Sequence, residues 1–187
     1  MAKVETQYET AQRMYSVRAK QYEDSWHPDY SRRFVSHLAI KPGMRVLDLC
    51  CGTGLEAFLV AELVGNSGEV IGVDATAEML AELKARQERE PADSPGARII
   101  KTFKHDVTDL ASLPAIARGS FDYILCSNAF VLFDDPAAVV RTWREYLKPV
   151  TGVLAVDITH EYNLRPGIVM ERAVKRSMLP EFLSLPP

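Results

Sequence analysis

No stretch of this chain approaches the roughly 18 consecutive apolar residues of a membrane span. The amino terminus, MAKVETQYET, is polar and acidic where a secretory leader is apolar. Membrane insertion and export are therefore not expected, and a cytoplasmic location is. Cysteine is scarce: Cys50, Cys51 and Cys126 form an odd set without C-x-x-C spacing, which predicts neither a disulfide framework nor a zinc centre, and no metal is expected. Basic charge is not in excess either. The 22 Lys and Arg are outnumbered by 25 Asp and Glu, and they are scattered among the acids, so nothing draws the protein to nucleic acid or anionic lipid. There is no internal repeat and no low-complexity tract. What remains is 187 residues, 47% of them hydrophobic, which fits one domain with a core of ordinary size.

From Arg45 onward, short runs rich in β-branched residues alternate with segments of helical period, the pattern of a parallel sheet with crossover helices. The runs are RVLDLC (45–50), EVIGVD (69–74), RIIKTF (98–103), FDYILC (121–126) and GVLAVDI (152–158). Between them, LEAFLVAELVG, TAEMLAELKARQERE and DPAAVVRTWREYLKP are predicted helices, the second with Thr76 as N-cap. PADSPG (91–96) is predicted to be a surface loop. Before the sheet, Tyr8, Ala11, Tyr15, Ala19 and Tyr22 fall on one helical face, and a second helix starts at Pro28. Right-handed crossovers make a doubly wound α/β sheet the economical topology.

In such a sheet, ligands bind beyond the carboxyl ends of the strands. VLDLCCGTGLEA (46–57) stands at the first of those ends. Gly52 and Gly54 let backbone approach a ligand and take turns forbidden to a side chain. Asp74, at the end of the second run, is placed to accept both hydroxyls of a ribose. Asp48 precedes the glycines, where a carboxylate repels a diphosphate but stabilises an ammonium or sulfonium group. Asp106, after the third run, is placed to accept from an adenine amine, with Val107 as an apolar wall. These groups together fit a zwitterionic, phosphate-free adenosyl cofactor.

VLDLCCGTG, GEVIGVDATAEML, KHDVTDL, FDYILCSNAF and YLKPVTGVLAVD, in this order, resemble the motifs of class I S-adenosylmethionine-dependent methyltransferases of the ubiquinone/menaquinone-biosynthesis type. The resemblance covers roughly residues 10 to 160 and implies a Rossmann-like sheet of order 3-2-1-4-5. It implies that Asp48, Cys51, Gly52 and Gly54 surround the methionine part of S-adenosylmethionine. Asp74 would hold the ribose, Ala75 and Met79 would flank the adenine, Asp106 and Val107 would meet its edge, and Ser127 and Asn128 would line the floor near the sulfonium. Residues 1–40 would form a helical lid, with Tyr15 and Tyr22 reaching inward, over a cofactor domain of residues 41–187.

Methyl transfer from a sulfonium is an in-line displacement on an activated carbon, so positioning carries most of the catalysis and a dedicated base is optional. Candidate bases are His27 and His160, the latter beside Tyr162. Trp26, Tyr15, Phe130, Phe133 and Tyr162 are candidates for desolvating a small-molecule acceptor. Each has a simpler reading: tyrosines at helical spacing commonly face a core, and Cys50 and Cys51 are small fillers of a tight loop. The rival functions are a pseudo-enzyme or interaction protein that binds the cofactor without turnover, and a nicotinamide oxidoreductase, which Asp48 disfavours. After the fifth run one helix, GIVMERAVKRSM, is expected in place of the family's further helix and strand pair. The fifth run is then an open edge, which predicts homo-oligomerisation or exchange of the C-terminal segment.

Overall fold

In the computed structural model, which describes residues 5–158 together with Val169 and Ala173, the five apolar runs form one parallel sheet. They are β1 (Arg45–Leu49), β2 (Glu69–Asp74), β3 (Ile100–Lys104), β4 (Tyr123–Cys126) and β5 (Val153–Val156). Their order is β3-β2-β1-β4-β5, every neighbour parallel, as the resemblance implied. The crossovers run outward from β1 to β3 and then return beside β1, so the order reverses between β1 and β4. The helices are α1 (Gln7–Arg18), α2 (His27–Ser36), α3 (Leu55–Val64), α4 (Ala77–Gln87), α5 (Pro95–Arg98) and α6 (Pro136–Arg144). The chain divides into two compact units, Met1–Asp157 and Ile158–Pro187, and these strands and helices all belong to the first. The expected C-terminal helix lies outside the described residues apart from Val169 and Ala173, which are helical.

The period of two along each strand separates two cores. Val46, Val70, Tyr123 and Leu125 pack with Val35 of α2, Ala57, Phe58 and Ala61 of α3, and Leu80 and Leu83 of α4. Leu47, Leu49, Ile71, Val73, Ile124 and Cys126 face the other way, onto Val139 and Trp143 of α6 and onto Tyr146. The alternation places Asp48 on the α3 side, 1% exposed. At Cys50 it breaks. The φ of Cys50 is 57°, a left-handed conformation rare outside glycine, and it exchanges the two cysteines between faces. Cys50 packs with the α6 core. Cys51 packs with the α3 core, in space left by Gly72, where a Cβ would lie 2.8 Å from the Cys51 sulfur.

Local chemistry sets most of the element ends. The capping box expected of a T-x-x-E sequence starts α1: Thr6 Oγ1 accepts from the Glu9 N–H, and Glu9 accepts from the Thr6 N–H at 2.9 Å. Thr76 is the N-cap residue of α4, but its side chain makes no capping bond. The predicted loop 91–96 is partly helical, because Ser94 accepts from the Ala97 N–H at 3.2 Å and Pro95 fits the first helical turn. That turn delays β3 to Ile100.

Gly54 opens α3 in the left-handed region, φ 85°, and a Cβ there would lie 2.8 Å from Leu83 Cγ and Cδ1. Gly52 also has positive φ, 53°, yet a Cβ on it would meet nothing within 4 Å. Gly54→Ala should therefore cost about 2–4 kcal/mol of stability, from strain plus overpacking, against about 1 kcal/mol for Gly52→Ala, from strain alone. Urea unfolding of the two variants measures the difference. Equal losses would mean that Leu83 gives way and that packing does not constrain Gly54.

Candidate active site

Where the strand order reverses, a cavity of about 410 Å³ opens above the carboxyl ends of β1, β2 and β4. Cys50 and Gly52 line it from the β1–α3 loop, Asp74, Ala75, Thr76 and Met79 from the end of β2 and from α4, and Asp106, Val107 and Thr108 from the loop after β3. Ser127 and Asn128 form its floor, Leu132, Phe133, Val139 and Thr142 one wall, and Tyr8, Gln12, Tyr15 and Tyr22 its roof.

Hydrogen bonds hold these groups in place. Asp74 accepts from the Gly52 N–H at 2.9 Å and from the Thr76 N–H at 2.7 Å, so one carboxylate fixes the glycine loop and the start of α4. Asp106 Oδ1 accepts from the N–H and the hydroxyl of Thr108, both at 2.8 Å. The Trp143 indole, fully buried under the sheet, donates to the Val107 carbonyl at 2.8 Å and so sets the height of that apolar wall. The roof is tied down by Gln12 Nε2, which donates to the Ala75 carbonyl at 2.9 Å, and by Ser16, which donates to Glu78 at 2.8 Å.

Beneath the glycine loop the electrostatics are one-sided. Burial, reinforced by Glu56 and Asp74, holds the Asp48 carboxyl well above the usual carboxylate range. Burial likewise raises Glu56, against hydrogen bonds from Ser31 and Ser127, and Asp74, against those from Thr76 and Gly52. Asp48 Oδ2 and Thr53 Oγ1 are buried without a hydrogen-bond partner among the described residues. An unsatisfied carboxylate oxygen inside a cluster of acids fits a cationic ligand group, and Asp74 beside it fits ligand hydroxyls.

Of the residues named from the sequence, Tyr15, Tyr22, Gly52, Asp74, Ala75, Met79, Asp106, Val107, Ser127, Asn128 and Phe133 share this cavity. Asp48, Cys51 and Gly54 do not line it. Asp48 and Cys51 lie on the α3 face, and the left-handed turn presents Cys50 in place of Cys51. Phe130 stands behind Phe133, ring centroids 6.1 Å apart. His27 is outside the lining, stacked between Tyr22 at 4.1 Å and Trp26 at 4.0 Å. Its Nδ1 lies 2.5 Å from Ser25 Oγ, and burial lowers its pKa, so it is neutral at pH 7. Trp26 is 58% exposed. His160 and Tyr162 lie outside the described residues. Sequence reasoning missed Gln12, Leu132 and Thr142 in the lining, and Glu56 and Asp157 beneath it. Gln12 alone carried a signal, being on the tyrosine face of α1.

Residues 40–180 match the family model described as a methyltransferase domain. The chain is 38% identical over 143 residues to an arsenite methyltransferase of Aquipseudomonas alcaligenes, covering 74% of this chain and 40% of that protein. It is 33% identical over 137 residues to a 2-phytyl-1,4-naphtoquinone methyltransferase of Synechococcus elongatus, covering 73% and 55% respectively. The chain thus spans about half the length of these curated relatives. Among solved structures, an S-adenosylmethionine-dependent methyltransferase from Aquifex aeolicus superimposes with a TM-score of 0.63 at 18% identity, covering 84% of this chain and 87% of that one.

The buried acids have a measurable consequence in the ligand-free protein. The carboxyls of Asp48, Glu56 and Asp74 have folded pKa values above their usual ones. The folded state therefore holds more protons than the unfolded state, and these groups' contribution to stability falls as pH rises from about 4. Asp48→Asn removes one of them. It should raise the melting temperature at pH 7 by about 2–6 °C and flatten the decline above pH 4. Thermal unfolding across that range checks it, and a melting curve identical to the parent's at every pH would show that Asp48 carries no uncompensated charge.

Proposed function

The chain belongs to the S-adenosylmethionine-dependent methyltransferase family, and on that premise we propose that its cavity holds S-adenosylmethionine and directs the methyl group to a small, uncharged acceptor. The observation that carries this reading is the unpartnered Asp48 oxygen among the raised carboxyls. Asp48 and Glu56 supply the negative potential for the cofactor's ammonium and sulfonium, while Gly52 allows the close backbone approach and Gly54 lets the loop turn into α3. Asp74 accepts from the ribose hydroxyls, Ala75 and Met79 flank the adenine, and Asp106 and Val107 meet its edge. When bound, the cofactor supplies a methyl carbon already activated by its sulfonium.

The protein's own work is then binding, alignment and exclusion of water. Ser127 and Asn128 form the floor, and Tyr22, Tyr15 and the rest of α1 serve as a lid, residues 1–40, over the domain from residue 41. Phe133, backed by Phe130, and Leu132 desolvate the acceptor. The described residues that line the cavity include Asp74, Asp106, Asp134 and Asp135, with no Lys, Arg or His among those described, and this opposes an anionic acceptor. The relatives named for arsenite and for a naphthoquinone support a small molecule. No helix among the described residues is long and apolar enough to cross a membrane, and a cytoplasmic location is part of the proposal.

Calorimetric titration tests the cofactor reading. S-adenosylmethionine and S-adenosylhomocysteine should bind and NAD should not. A cation entering beside raised carboxyls lowers their pKa values, so S-adenosylmethionine binding should release protons to the buffer and tighten as pH rises from about 5 to 7. Asp106→Ala should weaken S-adenosylhomocysteine by about 1–2 kcal/mol and Asp106→Asn by less, since an amide oxygen still accepts from the adenine amine. A folded parent that binds neither adenosyl ligand would refute the proposal.

Among the described residues β5 has one sheet neighbour, β4, and Val153 is 41% exposed. Such an edge favours self-association, which forms the remaining part of the proposal. Light scattering after size exclusion at low micromolar concentration should find species larger than 20.9 kDa. A single peak at the monomer mass would exclude it.

A further inference from the structure

The floor of the cavity is not held by the strands alone. Asn128 has a φ of 56°, a left-handed conformation that costs an L-residue energy unless neighbours impose it. The group that imposes it is Asp157, just beyond β5, whose Oδ1 accepts from the Asn128 N–H at 2.8 Å. The other oxygen, Oδ2, accepts from the Tyr30 hydroxyl at 2.7 Å. Burial and this bond push the Tyr30 phenol up to about 12, so it remains a donor at neutral pH.

A second bridge runs parallel to the first. Ser31, the next residue of α2 and 1% exposed, donates to Glu56 Oε1 at 2.7 Å. Glu56 is also hydrogen-bonded by the Ser127 side chain, and Asn128 Nδ2 donates to Ser127 Oγ at 3.1 Å. Two consecutive floor residues are thus joined, each through one carboxylate, to two consecutive residues of α2. The same helix begins at His27, on which the cavity-lining Tyr22 stacks. Floor and roof meet through α2.

We propose that Asp157 is a positioning residue: through its bonds to Asn128 and Tyr30 it fixes the floor beneath the reacting centre and latches α2, and with it the Tyr22 part of the roof, over the bound cofactor. Asp157 and Tyr30 do not line the cavity and touch no cofactor themselves. The inference rests on the cofactor reading above, and it assigns the lifetime of the closed complex to a bridge that lies outside the cavity lining and acts on it through Asn128.

The test is stopped-flow dissociation of S-adenosylhomocysteine, chased with excess S-adenosylmethionine and followed by tryptophan fluorescence. The proteins are the full chain, Tyr30→Phe, Asp157→Asn and the double variant, each checked by its melting temperature. Tyr30→Phe deletes one oxygen and preserves the ring, so folding is not at issue. It should speed release about tenfold while the association rate changes by less than about twofold, a split that general loss of stability does not produce. In the double variant, release should be no faster than in Asp157→Asn, since both changes break one bridge. An unchanged dissociation rate in Tyr30→Phe, or additive effects in the double variant, would overturn the latch while leaving cofactor binding intact. A parent that does not bind S-adenosylhomocysteine would overturn both, which separates the two failures.

Discussion

The crowding of buried acids beneath the glycine loop is the constraint around which this molecule is arranged. A parallel sheet brings the carboxyl ends of its strands together, and here those ends and their loops carry Asp48, Asp74, Asp106 and Asp157, with Glu56 in the first turn of α3. Among the described residues, every ion pair lies elsewhere, as at Asp122 with Lys148 and at Glu69 with Arg45 and Lys101. Backbone and hydroxyl donors offset part of the cost. Asp74 has backbone N–H partners in Gly52, Ala75 and Thr76, Asp157 a backbone N–H and a phenol, and Glu56 two serines. Asp48 has an oxygen with none. A buried polar atom left without a partner is destabilising by kilocalories, and this cost falls at the glycine loop, beside the cavity.

Much of this was legible in the sequence because the relevant signals are local. Strand runs and helical stripes are read from periods of two and 3.6, and the turn residues between them are punctuation that needs no tertiary information. The strand order itself came from the resemblance, since periodicity counts strands without ordering them. The errors have physical causes. PADSPG was expected as loop because Pro and Gly dominate it, yet Ser94 and Pro95 form a helical start that propensity undervalues. Val156 ends β5 before the predicted 158.

The site was legible at strand ends and illegible wherever contact depends on a reversal or on distance. Alternation places Cys51 toward the cavity, and one left-handed residue, Cys50, reverses it. No period in the sequence reports a positive φ on a cysteine. Glu56 lies inside VLDLCCGTGLEA, where it reads as an ordinary acidic residue in a helix's first turn; only the approach of Ser31 and Ser127 shows it to be buried. Asp157 and Tyr30 are separated by 127 positions, and a pair so distant has no signature in one sequence. Trp143 lies in a segment correctly expected to be helical, but its burial and its hydrogen bond to Val107, which makes that helix part of the site, follow from tertiary packing.

The two N-terminal helices are fastened in different ways. Of two bonds that α1 makes to the rest of the molecule, Gln12 to Ala75 is half-buried and Ser16 to Glu78 is exposed, where water competes for the partner. Those from α2, Ser31 to Glu56 and Tyr30 to Asp157, are buried or half-buried and end on carboxylates, and Val35 of the same helix is 4% exposed in the α3 core. Local opening follows the weakest fastening, so α1 should separate from the cavity more readily than α2. The segment between them carries the stack Tyr22–His27–Trp26, whose Tyr22 end lines the cavity and whose His27 end begins α2. Opening α1 therefore exposes Tyr8 and Tyr15 while Tyr22 remains held by its stack. The roof of the cavity is thus divided between a segment that α1 carries and a segment that α2 holds.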